Sequence, residues 1–186
     1  MLSEIQREKL TKLFRIWDTD GNGFLELNDW DRLAKKRAQL SSISPDSDEY
    51  RSLLTLHHVI WEVLRQNADT NRDDRVSLEE FQAYCDAQYG DVTDVRYASI
   101  PDQLRGLFDV LMGSVDRDQD GRITADDYAL FLESWGADEA MPGAKARFER
   151  LDRDGDGFIS VEEVRQFVAD HMLSRDPDAP GNVLFG

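Results

Sequence analysis

Asp152-Arg153-Asp154-Gly155-Asp156-Gly157-Phe158-Ile159-Ser160-Val161-Glu162-Glu163 sets oxygen-bearing side chains on alternate residues, turns at a glycine, and closes on a glutamate. It meets D-x-[DN]-x-[DN]-G-x5-E at every defined position. The frame recurs three times upstream. Asp18-Thr19-Asp20-Gly21-Asn22-Gly23-Phe24-Leu25-Glu26-Leu27-Asn28-Asp29 departs from it only in ending on Asp. So does Asp116-Arg117-Asp118-Gln119-Asp120-Gly121-Arg122-Ile123-Thr124-Ala125-Asp126-Asp127. Asp69-Thr70-Asn71-Arg72-Asp73-Asp74-Arg75-Val76-Ser77-Leu78-Glu79-Glu80 ends on Glu but carries Asp74 where glycine is expected. Four copies in one chain exclude coincidence.

The spacing suits a hard dication. Calcium takes about six to eight oxygens at roughly 2.3–2.6 Å in flexible geometry, and a loop that curls around one point supplies them from alternate residues. The side-chain donors are then Asp18, Asp20, Asn22 and Asp29; Asp69, Asn71, Asp73 and Glu80; Asp116, Asp118, Asp120 and Asp127; Asp152, Asp154, Asp156 and Glu163. Position 7 gives its backbone carbonyl, so the side chains of Phe24, Arg75, Arg122 and Phe158 are expected to matter little. Position 8 is apolar throughout (Leu25, Val76, Ile123, Ile159), which predicts short strand pairings between neighbouring loops. Asp tolerates the left-handed conformation better than most residues, so Asp74 weakens the second loop without excluding it. Asp29 and Asp127 are one methylene shorter than Glu. A six-oxygen cage at shorter distances is what magnesium prefers, so loops one and three are expected to accept magnesium as well as calcium.

Charge agrees with this placement. The chain of 186 residues has 22 basic and 38 acidic residues and a net charge of −16, and nineteen of those acidic residues lie in the four loops. Such a chain repels nucleic acid and anionic membranes at long range. The N-terminal residues show no apolar signal region and no run of about 18 apolar residues occurs, so a cytoplasmic protein without a membrane span is expected. Cys85 stands alone, which excludes an internal disulfide and suits a small buried hydrophobe. No glycine-rich phosphate loop, G-x-S-x-G or H-E-x-x-H is present, and the acidic clusters are accounted for as ligands, so no enzyme is expected. His57 and His58, adjacent on a helix, point in different directions and make a poor metal pair.

Apolar residues at helical spacing bracket each loop. Leu10, Leu13, Phe14 and Trp17 lead into the first, after a Ser3/Gln6 capping box, and Trp30, Leu33 and Ala34 follow it. Tyr50, Leu53, Leu54, His57, Ile60, Trp61 and Leu64 precede the second; Phe81, Tyr84 and Cys85 follow. Leu104, Leu107, Phe108, Leu111 and Val115 precede the third, with Tyr128, Phe131, Leu132 and Trp135 after it. Phe148 and Leu151, then Val164, Phe167, Val168, His171 and Met172, flank the fourth. The prediction is an all-α chain of eight helices in two pairs, residues 1–92 and 93–173, packed into one compact body. Residues 41–48 form a polar linker. The tail, 174–186, cannot continue the last helix past Pro177 and Pro180, and its tip Val183-Leu184-Phe185 either plugs an apolar cleft of the chain or frays.

These loops resemble those of the EF-hand superfamily. Trp17-Asp18-Thr19-Asp20-Gly21-Asn22-Gly23, the long connection inside the first pair, the altered second loop and the ending Val183-Leu184-Phe185-Gly186 are similar to the sarcoplasmic calcium-binding proteins, most closely the bacterial calerythrin type. That resemblance implies a compact globular protein that buffers or transports calcium in the cytosol, with magnesium competing; a monomer is expected, and the sequence names no protein partner. It also implies a second hand that is often silent, whereas Asp69, Asn71, Asp73 and Glu80 all survive here. A calcium sensor would use the same hands but open a Met-rich groove, and only four Met occur. A luciferin-binding or photoprotein-like carrier would need a large cavity lined by His, Trp and Tyr; isolated His and Trp on apolar helix faces are more often core.

Overall fold

A computed structural model describes the chain apart from residues 103, 107–108, 110–114, 117–119, 135–139 and 184–186, and the side chains of 134 and 140–142. Leu107, Phe108, Leu111, Trp135, the ligand candidate Asp118 and the tail tip Leu184-Phe185 lie outside the described residues. The helices are α1 (Glu4–Trp17), α2 (Leu27–Leu40), α3 (Asp48–Ala68), α4 (Leu78–Tyr89), α5 (Ala125–Ser134), α6 (Ala140–Leu151) and α7 (Val161–Leu173). Helical residues at 102, 104–106 and 109 stand where the helix entering loop three is expected. Two-residue strands β1 (Phe24–Leu25), β2 (Val76–Ser77), β3 (Arg122–Ile123) and β4 (Ile159–Ser160) complete the pattern of helix, loop, strand and helix.

Each strand is the tail of one loop, and the strands pair antiparallel within each pair of loops. Leu25 lies opposite Val76, and Ile123 opposite Ile159. All four position-8 side chains are buried. The predicted pairing is therefore present, and it carries apolar contact as well as backbone hydrogen bonds.

Contacts divide the chain into two units, one of residues 10–87 with 134–136 and the other of residues 1–9, 88–133 and 137–186. In the first, Trp17 packs 5.2 Å from Trp30 and 5.7 Å from Phe81 between ring centroids, with Phe14 6.0 Å from Phe81. Trp30 is fully buried, and Ala34, Ala38 and Leu53 join α2 to α3 with Tyr50 and Leu54 alongside. Small residues on α2 allow that close packing. The linker ends at Ser47, whose hydroxyl accepts the Tyr50 N–H at 3.1 Å and caps α3. His57 is buried, its Nδ1 2.9 Å from the Leu53 carbonyl, and Cys85 is buried as expected.

In the second unit, Tyr128 stacks near Phe131 and Phe148, and Phe167, Leu151 and Leu132 fill the interior. The Ser3/Gln6 box forms: Ser3 N–H donates to Gln6 Oε1 at 2.9 Å and Gln6 N–H to Ser3 Oγ at 3.4 Å. The described part of the tail is fastened. Lys9 is buried, and its Nζ donates to the Asp170 and Ser174 carbonyls and to Asn182 Oδ1. Burial lowers the Lys9 ammonium to about 8, with Asp170 opposing. Residues Pro180–Val183 form a short 3₁₀ turn that presses Gly181 onto α7. Among the described residues no helix is long and apolar enough to cross a membrane.

Two expectations follow. A Cβ on Gly181 would sit 2.3 Å from the Phe167 carbonyl oxygen and 2.6 Å from Asp170 Cβ. Gly181→Ala should therefore cost about 1–3 kcal/mol in a denaturant melt, and a loss under about 0.5 kcal/mol would contradict this packing. Burial, aided by Arg37 and His58 and opposed by the Leu53 carbonyl, lowers His57 from 6.5 to about 4. The unfolded chain then takes up a proton that the native chain refuses, so stability falls as pH drops from 6.5 toward 4. Relative to a His57→Gln variant, the native chain's stability advantage should shrink across that window; a constant gap would refute it.

Candidate metal centres

The fourth loop shows how the backbone brings its oxygens together. Asp152 Oδ1 accepts the N–H groups of Gly155 at 2.8 Å and Asp156 at 3.1 Å, while Oδ2 accepts Gly157 N–H at 3.0 Å. Asp156 Oδ1 accepts Phe158 N–H at 2.9 Å. Each carboxylate thus folds the chain over itself, and Gly157 at φ 87 makes the sharp turn. Glu163 closes the loop, one oxygen accepting Arg153 N–H at 2.9 Å and the other Ser160 N–H and hydroxyl at 2.8 Å. It therefore ties loop position 2 to position 9 and caps α7 at the same time.

The result is a knot of anions. Oxygens of Asp152, Asp154 and Asp156 all lie within 4.8 Å of one another, as do those of Asp18, Asp20 and Asp29. Two oxygens on opposite sides of a calcium ion are about 4.6–5.2 Å apart, so this span fits such a cage. Like charges this close repel strongly without a cation between them.

The first loop repeats the scheme. Asp18 accepts Asn22 and Gly23 N–H, Asn22 Oδ1 accepts Phe24 N–H, and Asp29 accepts Thr19 N–H at 3.0 Å and Glu26 N–H at 2.9 Å. The shorter Asp29 still spans positions 2 and 9, and it is buried. A residue that the pattern does not predict joins it. Arg32 Nη1 lies 2.9 Å from Asp20 Oδ2 and 3.2 Å from Asp29 Oδ1. That hydrogen bond, working against desolvation, holds the Asp20 carboxyl below the usual range.

The second loop keeps the fold despite Asp74. Its N–H donates to Asp69 Oδ2 at 3.0 Å, as Gly23, Gly121 and Gly157 do in their loops, with Asp74 at φ 60. Arg72 at position 4 is also left-handed, at φ 61. Glu80 accepts from Thr70 and Ser77; burial pushes its carboxyl up, but these donors outweigh it and hold it at about 2. Arg75 reaches Asp73 Oδ2 at 3.1 Å. In the third loop Asp116 accepts Asp120 and Gly121 N–H, Asp120 accepts Arg122 N–H, and Asp127 accepts Thr124 N–H and hydroxyl.

The position-7 side chains do more than expected. The Arg75 guanidinium sits 4.3 Å over the Phe24 ring and Arg122 4.9 Å over Phe158. Each stack crosses from one loop to its partner, so these residues couple the loops whose carbonyls they carry.

Models of the EF-hand family match this chain: an EF-hand domain pair over residues 7–85, and single EF hands over 109–132 and 144–168. The chain belongs to the EF-hand family. Calcium is the ion that its hands bind. Calerythrin of Saccharopolyspora erythraea is 27% identical over 175 residues, covering 94% of this chain and 96% of the relative. The structure of an amphioxus sarcoplasmic calcium-binding protein superposes with a TM-score of 0.77 at 19% identity, over 100% of this chain and 99% of that one. A coelenterazine-binding protein from Renilla muelleri superposes at 0.73 with 22% identity, covering 100% of this chain and 99% of that one. At such identities the structural likenesses speak for the fold alone. The expected resemblance to sarcoplasmic calcium-binding proteins of the calerythrin type thus holds along nearly the whole chain.

Sequence reasoning missed Arg32, the Arg–Phe stacks and the left-handed position 4. Arg32 was findable as a cation three residues beyond Asp29 on the exit helix. Gly21 and Gly155 marked position 4 in two other hands of this EF-hand chain. Arg72, with a long side chain at positive φ, should be strained. Arg72→Gly is expected to raise metal-free stability by roughly 0.5–1 kcal/mol, read from the denaturation midpoint at constant slope; destabilisation would show that Arg72 is not strained.

Proposed function

We propose that this EF-hand protein is a cytoplasmic calcium buffer or carrier whose four hands hold the ion through the side chains of Asp18, Asp20, Asn22 and Asp29; Asp69, Asn71, Asp73 and Glu80; Asp116, Asp118, Asp120 and Asp127; and Asp152, Asp154, Asp156 and Glu163. The carbonyls of Phe24, Arg75, Arg122 and Phe158 complete the cages. The observation that carries the reading is the two triads of carboxylate oxygens, each gathered within 4.8 Å by the loop's own N–H groups. Loops that are already folded need little rearrangement to take the ion. The second hand is included because Asp74 makes the same turn and the same hydrogen bond as the glycines of the other hands.

A buffer is favoured over a sensor because the tail from Ser174 to Val183 is tied to α7 by Lys9, Asn182 and Gly181. A sensor must release an apolar face on binding. Hands one and three, which close on Asp29 and Asp127, are proposed to accept magnesium as well, since a shorter side chain favours a smaller six-oxygen cage.

Calorimetric calcium titration with an apolar-surface dye present tests this. Binding with no rise in dye signal is expected, and millimolar magnesium should weaken calcium binding most at hands one and three. A calcium-dependent dye signal with capture of a basic amphipathic peptide would make the protein a sensor. Uniform magnesium competition across the hands would refute the distinction between them.

A further inference from the structure

We infer that Arg32 is a built-in counter-cation of hand one: its guanidinium holds Asp20 and Asp29 in the metal-free chain and must leave them for calcium to enter, so it stabilises the empty hand and lowers its affinity. This rests on the reading of hand one as a calcium site.

A single nitrogen, Arg32 Nη1, lies 2.9 Å from Asp20 Oδ2, 3.2 Å from Asp29 Oδ1 and 3.2 Å from Thr19 Oγ1. Asp20 and Asp29 are loop positions 3 and 12, both ligand candidates of the same cage. A guanidinium offers only donors and cannot enter a dication's coordination shell, so it and calcium compete for the same lone pairs. Asp29 has little other recourse. It is buried, and its remaining partners are loop donors already engaged in closing the turn. Arg32 itself is 47% exposed and sits on α2, free to swing into solvent when displaced.

Among the described residues the device is seen in this hand. Counted from each loop's first residue, the equivalent positions are Ala83, Leu130 and Gln166. Gln166 donates instead to Asp170 Oδ1 at 2.9 Å, away from its loop. Arg75 touches one ligand candidate of hand two, Asp73, and among the described residues bridges no second one. Hand one also has the fewest carboxylates of the four loops, so its resident cation removes a larger share of the attraction for calcium.

The test follows the Gly23 and Gly157 backbone amides by nitrogen–proton correlation spectroscopy while calcium is added to the full-length, metal-stripped chain. Gly23 reports hand one and Gly157 hand four, through their bonds to Asp18 and Asp152. Arg32→Gln should lower the calcium concentration that half-converts Gly23 by roughly three- to tenfold. It should leave Gly157 unmoved and lower the melting temperature of the metal-free chain. Arg32→Lys, a point charge without the fork, should fall between native and Gln. Should Arg32→Gln leave the Gly23 midpoint unchanged or raise it, the inference is overturned while hand one remains a calcium site. If Gly23 fails to respond to calcium in both the native chain and Arg32→Lys, the reading of hand one itself falls, and the inference with it.

Discussion

Carboxylates crowded within 4.8 Å of one another must be held there by something, and everything else in this chain follows from what holds them. Part of the work is done by the loop's own N–H groups. The first aspartate of each loop accepts two or more of them, which bends the backbone into the curve that brings the later donors round. That curve needs left-handed residues, which is why Gly23, Gly121 and Gly157 stand where they do. In loops one, two and four the twelfth residue then accepts donors from both ends of the loop and sits in the first turn of the next helix. Loop shape and helix start are one feature.

Pairing extends the constraint from one loop to two. Because β1 lies against β2 and β3 against β4, a loop cannot shift without moving its partner's buried position-8 residue. The Arg75–Phe24 and Arg122–Phe158 stacks reinforce this at position 7, whose carbonyls are also ligand candidates. Their chemistry suits the place. A guanidinium on an aromatic face needs no carboxylate partner, so it can lie beside an anionic cage without emptying it of acceptors. Arg75 is only partly so restrained, since it also reaches Asp73.

Much of this was legible in the residues. Loop positions, helix faces and strand pairing follow from a rigid twelve-residue frame and from 3.6-residue periodicity, both local properties of the sequence. Trp30, Leu33, Phe81, Phe148 and Phe167, all placed on apolar faces, are buried. What escaped was non-local or conformational. The frame says nothing of which surface cation will fold back onto Asp29, and a glycine at position 4 reads as filler until Arg72 is seen at φ 61 in its place. The fastening of Ser174 to Val183 was equally hidden. It depends on Lys9, 161 residues before the carbonyl of Asp170 that it meets, and no local pattern announces a pairing over that distance.

The tail's anchor has a consequence for the fourth hand. Asp170 Oδ2 accepts both Arg153 Nη2 at 3.1 Å and Gly181 N–H at 3.4 Å. Arg153 is loop position 2, and its own N–H is held by Glu163. The carboxylate that closes hand four and the one that fastens the tail are therefore joined through a single residue, whose guanidinium also lies 5.3 Å over Phe167. Arg153 is half exposed and Asp170 buried. Hand one has its arginine across two ligand candidates, Asp20 and Asp29; hand four has Arg153 paired with Asp170, which fastens the tail. The same residue type thus bridges two ligand candidates in one hand and reaches past them to the tail's anchor in the other.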